Sequence, residues 1–209
     1  NKMARVINTE EAGWLDEAVS HIREGKLIVF PTETVYGIGI NLEFPENLEH
    51  LQRAKGRAFD KPIALMTGSL KIAEECFEFN DHCRKIARKF FPGPLTLVLK
   101  RSEKIPMWFF PERKKIGLRI PDNRIALDIL NAYRGPLAVS SANVSGSQPA
   151  RNFEMALFYF ANEEDLLIID GGESAIAGGS TVIEVVDGTV SVLRPGPIAR
   201  EKLEQALVE

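Results

Sequence analysis

Three cations stand within seven residues at Lys55, Arg57 and Lys61, with Gly56 between the first two. Arginine offers a planar fork of donors and lysine a compact point charge, so this pairing suits a polyphosphate. A second group is Ser141 and Asn143, small polar side chains in Ser-Ala-Asn-Val-Ser-Gly. A third is Thr32, Glu33, Thr34 and Tyr36, which follow an apolar run and a proline. Arg119 lies inside an otherwise apolar segment, where a charge needs a partner or a ligand. Ser180 follows a glycine pair, and Arg194 precedes Pro195-Gly196. Each group alone reads as an ordinary polar turn or a solvated surface. Together they place cations and neutral hydrogen-bonding groups beside core strands, which points to one concave anion-binding cavity.

The elements that must position these groups follow from hydrophobic periodicity. Leu27–Phe30 is a continuous apolar run with β-branched residues, as in a strand covered on both faces. Pro31 ends its regular pairing. Further strands are expected over 63–66, 95–99, 116–120, 137–139, 166–169, 182–186 and 189–193, the last two joined by a tight Asp187-Gly188 turn. Helices are expected from a capping box at Asn8 and Glu11 to Gly25, and over 45–55, 69–79, 81–91, 152–162 and 197–208. Asp81 is the expected cap of the fourth, and Pro197 the first residue of the last. A further helix follows Asn123. Residues 101–115 read as an irregular segment whose Trp108, Phe109 and Phe110 form a satellite core. Strands follow both helices and turns, so the fold class is α/β, a single domain with an open mixed sheet and flanking helices. No internal repeat, low-complexity segment or clear linker divides the chain, so one domain is expected.

Composition narrows the function class. The 209 residues are 44% hydrophobic and 26% charged, with net charge −3. That balance gives no whole-molecule field for nucleic acid or an anionic membrane, so an anion site must rest on local charge. Cys76 and Cys83 read as reduced thiols, and the three histidines form no ligand-like cluster, so no protein metal site is expected. No apolar run reaches membrane-spanning length and the first residues form no apolar leader, so the expected location is the cytoplasm.

Six motifs occur in order: Pro31-Thr-Glu-Thr-Val-Tyr-Gly-Ile-Gly39, Lys55-Gly-Arg57, Pro92-Gly-Pro-Leu-Thr96, Arg119-Ile-Pro121, Ser141-Ala-Asn143-Val-Ser-Gly146 and Ser180-Thr-Val182. This series resembles the YrdC (TsaC-like) family, the threonylcarbamoyl-AMP synthases, from about residue 12 to 197. The resemblance implies an N-terminal extension over 1–11, a catalytic domain over 12–197 built on a twisted open sheet with a large positively charged cavity, and a C-terminal helix of that domain over 198–209. It implies that L-threonine, bicarbonate and ATP, the last with Mg2+, give threonylcarbamoyl-adenylate and pyrophosphate for modification of tRNA. Transient contact with tRNA or a downstream threonylcarbamoyl transferase complex is implied as well. The family's active-site signature falls on Lys55, Arg57, Ser141 and Asn143. Its threonine contacts fall on Thr32, Thr34, Arg119, Ser141 and Ser180. Its ATP contacts fall on Lys55, Arg57, Lys61, Lys115, Asn143, Arg151 and Arg194. Glu33 is given no role as a base. Ala58 stands where the family usually has proline, and Met66 replaces a histidine seen in some relatives. The competing readings are an RNA-binding module without catalysis, and a carbamoyl-adenylate enzyme with another acceptor. Replacing Lys55 or Arg57 by alanine is expected to abolish turnover and leave the fold nearly unchanged.

Overall fold

Short Val-, Ile- and Leu-rich runs become strands and longer amphipathic ones become helices. The computed structural model describes residues 3–60, 63–176 and 178–209. In chain order these form β1 (Arg5–Asn8), α1 (Trp14–Arg23), β2 (Leu27–Phe30), β3 (Gly37–Asn41), α2 (Glu46–Lys55) and β4 (Ala64–Met66). Next come α3 (Leu70–Cys76), β5 (Phe77–Glu78), α4 (Asp81–Phe90), β6 (Leu95–Arg101), β7 (Lys115–Arg119), α5 (Arg124–Tyr133) and β8 (Leu137–Ser141). The chain closes with α6 (Phe153–Phe160), β9 (Leu166–Asp170), β10 (Thr181–Val186), β11 (Thr189–Arg194) and α7 (Arg200–Val208). Among the described residues no helix is long and apolar enough to cross a membrane.

All strands belong to one mixed sheet, ordered β1-β9-β2-β3-β8-β4-β7-β6-β10-β11, with β5 paired to β6. Residues 5–8, read above as part of an extension, pair in parallel with β9 at the sheet edge. The Asn8–Glu11 box forms, with the Asn8 N–H donating to the Glu11 carboxylate at 2.8 Å. It closes a turn rather than starting α1, which begins after Gly13 in the left-handed region. Asn80, not Asp81, caps α4, accepting from the Cys83 N–H at 2.8 Å. α3 stops at Cys76 because the chain turns into β5, and α7 starts three residues beyond Pro197.

The two sheet faces are covered unequally. One carries α2, α3, α4, α6 and α7 over a core that includes Leu65, Leu97, Leu118 and Ile183. The other carries α1 and α5, through Ile22, Ala126 and Ile129, on Ile28, Phe30, Leu137 and Ile169. These two helices cover the β1–β8 half only. The face of β4, β7, β6 and β10 beyond them borders a hollow. Along β7 the side chains alternate accordingly: Ile116 and Leu118 enter the first core, while Lys115, Gly117 and Arg119 line the hollow. The end of the irregular segment, through Glu112, Arg113 and Lys114, forms part of the wall of this hollow. Arg101 shapes the segment by donating to the carbonyls of Ile105, Pro106, Phe109, Phe110 and Arg113 at 2.6–3.4 Å. Phe109 is fully buried and meets Trp108 and Phe110 edge-on, within the main core rather than a satellite.

Gly37 begins β3 opposite Ser141, and a Cβ there would stand 2.5 Å from the Val139 Cγ1. Val139 is stiff at χ1 and cannot withdraw easily. Gly37→Ala should lower stability by about 1–3 kcal/mol in denaturant unfolding. Combining it with Val139→Ala should recover part of the loss; an unchanged midpoint in the single variant would contradict this packing.

Candidate active site

The hollow measures about 1060 Å³ and crosses the open sheet face from one strand end to the other. Register sets its length. Ser141 ends β8 beside Gly37, whereas Arg119 ends β7 beside Met66, at the opposite edge of the sheet. The polar groups are therefore spread along the hollow rather than gathered at one end of the strands. Lys115 and Arg119 bracket the floor, roughly 13 Å apart along the strand.

At the Arg119 end the wall is made of hydroxyls and one ion pair. Arg119 is 6% exposed, and its Nη2 donates to Thr34 Oγ1 at 2.8 Å and Thr32 Oγ1 at 3.3 Å. The same nitrogen pairs closely with Glu33 Oε1, while Glu33 Oε2 accepts from the Asp122 N–H. Glu33 thus ties the loop after β2 to the turn after β7. Arg119 Nε is buried without a protein partner. Thr32 lines the hollow; Thr34 is fully buried behind it. Ser180 shares a 2.6 Å hydrogen bond with Thr96. The Arg194 Nε and Nη2 donate to the Ser180 carbonyl at 3.2 and 2.8 Å. Burial lowers the pKa of Arg194, and the neighbouring Arg119 charge lowers it further. Two guanidiniums therefore face one small volume.

At the other end the chain supplies open cations. Arg57 is exposed at the rim, with its Cζ 5.9 Å from the centre of the Phe59 ring. Arg113 and Lys114 extend the wall, and Lys115 pairs with Glu184. Asp60 and Glu112 also line the hollow. Six cationic side chains against three carboxylates leave it positive.

Lys55 does not reach this space. It is the last residue of α2, fully buried, and Gly56 behind it turns through φ 69°. Its Nζ donates to the Ser141 carbonyl, to the Asn143 carbonyl at 2.9 Å and to Asn143 Oδ1 at 3.3 Å. Ser141 Oγ donates to the same Oδ1 at 2.6 Å. The Asn143 Nδ2 bridges to the carbonyls of Val144 and Ser147. Lys55 therefore shapes the Ser-Asn loop from beneath, and alanine there would remove all three bonds; the Asn143 Oδ1 would keep the Ser141 hydroxyl and the Ser141 carbonyl the Asn143 N–H, but the Asn143 carbonyl would lose its side-chain donor. An unperturbed fold is no longer expected for that substitution.

Of the other residues proposed from sequence, Ser141, Ser180 and Arg194 line the hollow, and Asn143 lies behind its lip. Arg151 lies elsewhere, pairing with Glu173 at 3.3 Å and donating to the Ser174 carbonyl. Lys61 is outside the described residues. Sequence reasoning missed Glu33 as the Arg119 partner, and Thr96. The signal for Glu33 was its place between two threonines, coupled to a buried arginine that needed a counter-charge. Tyr36 is a strut: its OH donates to the Gly172 carbonyl at 2.6 Å, and burial pushes its pKa up to about 12.

The family model Sua5/YciO/YrdC, described as telomere recombination, matches residues 20–196. The chain is 37% identical over 194 residues to the threonylcarbamoyl-AMP synthase of Pyrococcus abyssi, covering 92% of this chain and 56% of that protein. It is 34% identical over 206 residues to the threonylcarbamoyl-AMP synthase of Bos taurus, covering 92% and 72%. The crystal structure of P. abyssi Sua5 complexed with L-threonine superimposes with a TM-score of 0.86 at 33% identity, over 97% of this chain and 60% of that one. The chain thus spans somewhat more than half of its archaeal relative.

Burial, and then the Arg57 charge, push the Lys55 ammonium down to about 8 from 10.5. Between those values the unfolded chain holds a proton that the folded one has released, so this group's contribution to stability rises with pH over that window. The full shift corresponds to about 3 kcal/mol. Urea unfolding at pH 7.5 and pH 10 should show wild type gaining on Lys55→Met by roughly 1–3 kcal/mol at the higher pH. An equal difference at both values would contradict the assignment.

Proposed function

The chain belongs to the Sua5/YciO/YrdC family, and from that membership we propose that it is a cytoplasmic threonylcarbamoyl-AMP synthase. L-Threonine, bicarbonate and ATP would give threonylcarbamoyl-adenylate and pyrophosphate, for tRNA modification by a downstream transferase complex. The observation that carries this reading is the division of the hollow. One end offers two guanidiniums among hydroxyls, with Arg119 paired to Glu33, and the other offers Arg57, Arg113 and Lys114, which have no carboxylate partner within salt-bridge distance among the described residues. That asymmetry suits a small amino acid at one end and a triphosphate at the other.

In this reading Arg119 meets the threonine carboxylate, with the Thr32 and Ser180 hydroxyls beside it and Thr34 holding the guanidinium. Arg57, Arg113 and Lys114 neutralise the phosphates, and Arg194 borders both ligands. Ser141 and Asn143, held by Lys55, orient the carbamate next to the α-phosphate. Adenylation then needs alignment of the carbamate oxygen with phosphorus and charge stabilisation as pyrophosphate leaves, which fixed cations supply. Among the described residues no group of three His, Cys, Asp or Glu side chains could hold a metal. Magnesium would arrive with ATP and offset phosphate charge.

The purified protein should release pyrophosphate from ATP only with both bicarbonate and threonine present. Release that does not require threonine would overturn the reading, and binding of RNA without release would favour a non-catalytic module. Arg57→Ala should cut turnover at least about tenfold while shifting stability by no more than about 0.5 kcal/mol, because the residue is exposed. Near-normal turnover would remove Arg57 from the phosphate site.

A further inference from the structure

Arg119 and Arg194 approach the same small volume from two strands, with Ser180 between them. Two guanidiniums flanking a hydroxyl make a ready clamp for a phosphate group. Such a clamp at the amino-acid end would capture the wrong part of the nucleotide, or the departing pyrophosphate. Glu33 stands against this. It is 8% exposed, and its Oε1 occupies Arg119 Nη2 while Oε2 is fixed by the Asp122 N–H. Nη2 is the nitrogen shared by both bidentate edges of a guanidinium, and Thr34 takes its second proton at 2.8 Å. Nη1 and Nε remain without protein partners among the described residues. They give single contacts only, next to a charge that is already balanced.

We propose that Glu33 is a specificity-determining residue: it keeps phosphate out of the amino-acid end of the hollow by neutralising Arg119 and blocking its bidentate edges. This rests on the synthase reading for the identity of the two ligands. A zwitterionic amino acid tolerates such a subsite because its carboxylate needs only one charged donor and the nearby hydroxyls. A di- or trianion does not, since the carboxylate of Glu33 repels it. The cations at the opposite end, Arg57, Arg113 and Lys114, have no carboxylate partner within salt-bridge distance among the described residues and stay open to phosphate.

The test uses inorganic pyrophosphate and L-threonine on the full chain, by calorimetry. Wild type should bind one pyrophosphate, and saturating pyrophosphate should change threonine affinity less than about twofold. Glu33→Gln keeps an acceptor for Asp122 and loses the charge. It should gain a second pyrophosphate site, and pyrophosphate should then weaken threonine binding at least about tenfold. The double variant Glu33→Gln/Arg119→Met should lose the second site again. One pyrophosphate site in Glu33→Gln, with threonine unaffected, overturns the proposal. Where Glu33→Gln fails to fold, wild type still decides: pyrophosphate that displaces threonine from it also overturns the proposal. A wild type that binds no threonine and forms no adenylate would sink the synthase reading, while pyrophosphate stoichiometry in the two variants would still judge Glu33.

Discussion

A sheet face that no helix covers must be built from side chains that water or a ligand can satisfy. Here α1 and α5 reach across only half of one face, and the remaining strands set the character of the hollow. Their inner-facing residues fill the first core. Their outer-facing residues are Lys115, Gly117 and Arg119 on β7, Thr96 and Val98 on β6, and Val182 and Glu184 on β10. An apolar set there would expose a sticky patch. A charged set needs fixed partners, and these are Glu33, from a loop that crosses the face, for Arg119, and Glu184, on the strand β10, for Lys115.

The burial of Arg119 shows how tightly the site and the fold are joined. A guanidinium out of water is costly unless it is paired and hydrogen-bonded. The loop after β2 meets that demand with Glu33, Thr32 and Thr34, and the same loop is anchored by the Tyr36 hydroxyl to the turn after β9. Lys55 plays the matching part beneath the Ser-Asn loop. Both cations organise backbone as well as charge, so loss of either would disturb geometry before it disturbed electrostatics.

Much of the fold was legible in the sequence. The buried runs Leu27–Phe30 and Leu166–Ile169 fell where expected, and so did the Asp187-Gly188 hairpin, whose two residues both adopt positive φ. Short elements were not, because β1 and β5 owe their pairing to distant partners rather than to their own pattern. The cap of α4 moved by one residue because Asn80 and Asp81 are both good caps and only the path of the chain decides between them. Within the site, residue types pointed to an anion cavity. Its orientation across the face was hidden, since β7 and β8 run in opposite directions and sequence carries no record of register. The place of Lys55 was hidden for a related reason: beside Arg57 it reads as a phosphate contact, and only the fold brings the Ser-Asn loop over its ammonium.

Arg101 grips the wall segment through five main-chain carbonyls, not through side chains. The outline of that wall is therefore largely independent of which residues decorate it. Replacing a side chain that lines the hollow, such as Glu112, Arg113 or Lys114, would leave that main-chain grip in place. The hollow can thus acquire new chemistry on one side while its floor, written into paired strands, stays as it is.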